Sequence, residues 1–188
     1  PISRIRGWMV VGLVAGHAQA IVGQTIGFLV IDRLGLAPAR ALEPTGLVLM
    51  IGAGSTLLAQ WGLIPLLDLR PRALVLAGAG LAGAGCLIVA AAPGLYAIAL
   101  GYALASLGFG FARPGFTAGA SIAVDAATQG AVAGKVTSIN GAAFVLGPSI
   151  GIGLYQLWRP LPYLATAAAL LCLLGYAALT LRNRADAA

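Results

Sequence analysis

His17, Gln24, Arg113 and Asn140 are polar side chains set inside stretches that otherwise suit only lipid. His17 and Gln24 stand seven residues apart, so on a helix they share a face. Polar groups at membrane depth face a bundle interior or a water-filled cavity, where they mark solute paths and proton relays. The chemistry these four offer is recognition of a solute, with His17 able to carry a proton. Each also has a plainer reading. His17, the single histidine, is equally suited to being a neutral imidazole hydrogen-bonded to a neighbouring helix. Arg113, in SLGFGFARPGFTAG, falls about 27 Å along a helix that begins near Leu95. Its guanidinium either snorkels to the cytoplasmic edge of the hydrocarbon or faces a cavity as a gate or ligand residue, since lipid-facing charge at mid-depth costs about 2.5–3.5 kcal/mol.

Bond-making chemistry is not expected. There is no Ser/His/Asp or metal-ligand constellation, no phosphate loop, and no acid beside His17, so neither a catalytic centre nor a metal or cofactor is anticipated. The five acids, Asp32, Glu43, Asp68, Asp125 and Asp186, fall in loops or at helix ends. Cys86 and Cys172 lie in apolar runs without redox spacing and are read as packing residues.

The elements that must position these side chains follow from composition. At 60% hydrophobic and 9% charged residues, the chain is far from a soluble domain, of which about 25% is charged. Its partner is the lipid bilayer. A net charge of +6 raises the question of nucleic acid, but the arginines stand singly or in pairs between apolar runs and form no basic face.

Six apolar segments reach spanning length, about 20 residues each: residues 8–31, 45–67, 73–92, 95–112 (extendable to 124), 131–155 and 161–181. The expected fold is an all-α polytopic membrane domain over residues 1–188. A longer link is expected between Arg113 and Gly130. With the N-terminus in the cytoplasm, Arg4, Arg6, Arg70, Arg72, Arg113, Lys135, Arg182 and Arg184 are cytoplasmic and Arg33, Arg40 and Arg159 are outside. That bias follows the positive-inside rule and puts both termini of a multi-pass protein of the cell (inner) membrane in the cytoplasm.

The stretch Gln129–Tyr155 holds Gly130, Gly134, Gly141, Gly147, Gly151 and Gly153, with Pro148 after Gly147. Small residues four apart let membrane helices approach closely, so this stretch is expected to be the helix against which the others are arranged. Asn140, Gly147 and Gly151 fall within about 20° of one face. In the first segment Gly12, Gly16, Gly23 and Gly27 form a comparable stripe beside His17 and Gln24.

Several of these strings resemble the C-terminal six-helix half of a major facilitator superfamily transporter, most similar to the drug:proton antiporters of the tetracycline-efflux type. They are QG-x3-G at Gln129–Gly134, GPSIG at Gly147–Gly151, Pro114 after a glycine-rich fourth segment, and DRLGL at Asp32–Leu36. The family's antiporter motif, G-x8-G-x3-G-P-x2-G-G, belongs to the fifth helix of a full transporter, and the fifth segment here is its repeat counterpart. Gly134, Gly147, Pro148 and Gly151 match it, while Ala143 and Ile152 replace two glycines. DLRPR resembles the family's cytoplasmic D-R-x-G-R loop, with Asp68 and Arg72 in place, arginine moved to Arg70 and Pro71 for glycine.

The resemblance implies two inverted three-helix repeats in this half, a second, N-terminal six-helix half as partner, and a small-molecule substrate carried between them. In that reading the chain is either part of a longer transporter or an unusual half-size protein. The coupling acid then lies in the other half, or His17 takes part, or transport is not proton-driven. The reading of another class is a non-transporting membrane subunit that uses the same helices for assembly or sensing.

Overall fold

The computed structural model describes residues 2–181, with side chains described from Ile5 onward. Arg182, Arg184 and Asp186 therefore lie outside the described residues, as does the side chain of Arg4. Six helices are long and apolar enough to cross a membrane, and no strand occurs among the described residues. They are α1 (Ile2–Leu34), α2 (Leu42–Leu67), α3 (Pro71–Ala91), α4 (Leu95–Ile122), α5 (Ala126–Leu157) and α6 (Leu161–Thr180). This is the architecture of a multi-pass membrane protein.

Local chemistry explains the ends. Gly35 turns the chain out of α1 at φ +61°, the left-handed conformation that glycine adopts without penalty. Pro71 opens α3, where its missing N–H would have had no partner anyway. Within α2, Leu58–Leu63 form a wide π-helical turn. Pro65 follows after Ile64, and widening the turn ahead of it relieves the clash between a proline ring and the carbonyl four residues back.

The link expected between Arg113 and Gly130 is mostly helix. α4 continues through Pro114 to Ile122 and α5 begins at Ala126, leaving three residues between them. Packed membrane helices tolerate an internal proline because neighbours meet the freed backbone group. Arg113 thus sits nine residues, or about 14 Å, inside the end of α4.

α1, α4, α3 and α6 form a closed ring in which each packs on the next. The tightest seam joins α3 to α4. A Cβ placed on Gly78 would fall 2.6 Å from Gly108 O, one on Gly85 2.6 Å from Gly101 O, and one on Gly101 2.8 Å from Val89 N. α2 leans chiefly on α4, and α5 chiefly on α1. Their apolar windows are only 17% and 22% buried, against 33–56% for the other four helices. The stretch Gln129–Tyr155 is therefore an outer helix rather than the one the others surround. α4 holds that position, touching α1, α2, α3 and α5, because its glycines let three neighbours close in, Gly101, Gly108 and Gly115 on α3, Gly110 on Ala59 of α2 and Gly119 on Trp8 of α1, while most of those on α5 meet nothing.

The two ends of the bundle are tied differently. At the termini end Gly7 of α1 lies beside Leu181, and Arg72 Nη2 donates to Ala178 O at 2.8 Å, joining the start of α3 to the last turn of α6. At the far end Asp32 Oδ2 accepts from the Tyr155 hydroxyl at 2.5 Å and pairs with Arg159 Nε at 3.0 Å. The rings of Phe28 and Tyr155 pack beside this pair in a tilted arrangement, centroids 6.1 Å apart and planes at 42°.

Candidate functional site

A narrow cleft opens where α1, α4 and α5 meet. Gly16 and Gln19 of α1, Arg113 and Phe116 of α4, and Asn140 and Phe144 of α5 line it. The glycines make it possible. Gly12 accommodates the Phe116 ring, and an added Cβ on Gly16 would come within 3.2 Å of Ala143 Cβ. With no side chains at those two positions, α1 closes on α4 at Gly12 and on α5 at Gly16, and the polar groups of the three helices come to one cleft. The space left for water is about 10 Å³, close to that of one molecule.

Arg113 is exposed at this cleft. Among the described residues its guanidinium has no ion-pair partner, since the carboxylate of Asp32 is engaged by Arg159 at the far end. Gln19 and Asn140 are half-buried and each offers a carboxamide with both donor and acceptor atoms. The structure therefore gathers one cation and two amides at membrane depth, backed by aromatic rings.

His17 and Gln24 lie elsewhere. His17 Nδ1 is 2.7 Å from Leu13 O, one turn back on its own helix, so a neutral ring donates through Nδ1 to that carbonyl and does not reach a neighbouring helix. Gln24 is exposed. Gln19 carries no motif and is visible in the sequence only as the residue seven beyond Gly12, within about 20° of the same face.

The glycine motif of α5 divides in two. An added Cβ on Gly147 would lie 2.5 Å from Ala20 Cβ, and one on Gly151 3.2 Å from Ile21 O. Asn140, Gly147 and Gly151 thus face α1 along one stripe. Gly134 has nothing within 4 Å of such an atom, and Pro148 is half-buried. In the loop motif, Asp68 closes α2 in the left-handed conformation at φ 45°. Arg70 is exposed ahead of α3. Among the described residues, Arg72 is the one of the three that makes a tertiary bond.

No group of three or more His, Cys, Asp or Glu side chains among the described residues is placed to hold a metal. No family model matches the chain, and no curated protein is significantly similar to it.

Proposed function

We propose that this chain is the C-terminal six-helix half of a secondary active transporter of the major facilitator superfamily, drug- or metabolite-efflux-like, with its substrate path running along the α1, α4 and α5 face. The observation that carries the proposal is the cleft. An arginine with no ion-pair partner among the described residues and two carboxamides open together within three helices of spanning length. Polar groups so placed face water or a bundle interior, not lipid. The shallow burial of α2 and α5 supports the same reading, because a second six-helix half set against them would enclose the cleft between two bodies.

In this reading α1–α3 and α4–α6 are inverted repeats, and the termini end is cytoplasmic. That end carries Arg6, Arg70, Arg72 and Lys135, whereas Arg33, Arg40 and Arg159 belong to the other. The coupling carboxylate lies in the partner half, because the described acids, Asp32, Glu43, Asp68 and Asp125, stand at helix ends. The test is solute flux in proteoliposomes of the whole protein under an imposed proton gradient. Gradient-dependent movement of at least one solute from a chemically varied panel is expected, together with its loss in Asn140→Leu that still folds. A folded protein that moves none of them under any imposed ion gradient would overturn the transporter reading.

A further inference from the structure

We propose that the cleft of Arg113, Gln19 and Asn140 is an oxyanion site, which admits the carboxylate or phosphate-type head of an amphipathic solute while the solute's apolar body stays outside. The inference rests on the pathway reading above and adds the charge class of what is carried. A guanidinium presents a planar fork of donors that matches two oxygens of one oxyanion, and the amides of Gln19 and Asn140 add N–H donors from the facing helices.

The acids are held away. Asp125, the nearest to Arg113 in the chain, stands beyond the end of α4, about 14 Å or more along the axis. Asp32 is occupied by Arg159 and Tyr155, and Glu43 and Asp68 lie at the two ends of α2. A cationic solute would meet an arginine that has no ion-pair partner among the described residues, and a neutral one would leave that charge unanswered. An oxyanion satisfies it.

The dimensions sharpen the choice. The enclosed part of the cleft is about 10 Å³, room for one oxygen of the head group, while the other stays at the mouth beside the exposed Arg113. Phe144, on the rim and 54% exposed, offers an apolar surface for the rest of the molecule.

The same head could come from a soluble organic acid or from an anionic lipid. Binding of radiolabelled 1-naphthoate to the protein in phosphatidylcholine nanodiscs tests the site without any gradient. Wild type is expected to bind it, Arg113→Gln to weaken binding about tenfold or more, and Arg113→Lys to retain part. Gln19→Leu is expected to weaken it by a smaller factor, which keeps the test sound if Arg113→Gln does not fold. The isosteric cation 1-naphthylmethylammonium is expected not to bind. Progressive displacement of naphthoate by phosphatidylglycerol added to the discs assigns the site to a lipid head, and no displacement assigns it to soluble acids. Undiminished naphthoate binding in folded Arg113→Gln and Gln19→Leu, or equal binding of the cation, overturns the oxyanion site. Neither result depends on flux, so loss of this proposal and loss of the transporter reading are separate outcomes.

Discussion

The seam between α3 and α4 and the contact between α1 and α5 are both built from glycine, yet they differ in what the glycines meet. In the first, backbone meets backbone: Gly78 faces the carbonyl of Gly108, and Gly85 that of Gly101. In the second, Gly147 faces the methyl group of Ala20, Gly151 meets the Ile21 carbonyl only at the looser distance of 3.2 Å, and Gly134 faces open space. Carbonyl oxygens on a helix cannot move aside, whereas an alanine methyl yields with a small shift of its helix. A shared motif of small residues thus gives a rigid junction in one place and a forgiving one in the other.

The largest expected effect lies in the rigid seam. Gly85→Leu should abolish monodisperse protein on size-exclusion chromatography, because its side chain would have to enter the backbone of α4. Gly85→Ala should still cost about 1–3 kcal/mol, the usual range for overpacking, measured by titrating the protein into SDS. An unchanged midpoint for Gly85→Ala would erase the distinction between the two contacts.

Gly147→Ala should cost less than Gly85→Ala, roughly 1 kcal/mol, and Ile152→Leu, on an exposed part of α5, should be tolerated. A Gly147→Ala penalty equal to that of Gly85→Ala would make the α1–α5 contact as rigid as the other.

Asp32→Asn comes next. It removes the charge that Arg159 engages, but the Arg159 side chain is 62% exposed, and exposed pairs contribute little. The Tyr155 hydroxyl can still donate to the remaining oxygen. A shift of a few tenths of a kcal/mol is expected, and wild-type salt dependence in the mutant would show that the ion pair contributes nothing.

The smallest effect should have the opposite sign. Gly134→Ala has room, and replacing a helical glycine restricts the unfolded chain, so it should be neutral or stabilising by about 0.4–1 kcal/mol. Clear destabilisation would mean that another body packs on that face of α5, which the same titration on the whole protein would localise.

These contrasts also mark what could be read before the structure. Six spanning segments were legible because bilayer thickness acts locally on length and composition. The end of α4 was left open between 112 and 124, because rules learned in water end helices at proline while packed neighbours in lipid relax them, and the helix takes the longer course through Pro114. Helical wheels put Asn140, Gly147 and Gly151 on one face, but a wheel names a face and not its partner. For that reason the glycines of α3 and α4, spaced no more suggestively than those of α5, were not distinguished as the tighter set. Arg113 and Asn140 come to one cleft through the crossing of three helices. Gln19 joins them from a position with no signal beyond its spacing from Gly12, whereas His17 turns to its own backbone.

The bond from Arg72 to Ala178 spans 106 residues. At a synthesis rate of about 5–20 residues per second, a ribosome needs about 5–20 s to make the carbonyl that this guanidinium grips. Until then the guanidinium has no α6 carbonyl to donate to, so this closure of the α1, α4, α3 and α6 ring cannot precede synthesis of the sixth helix.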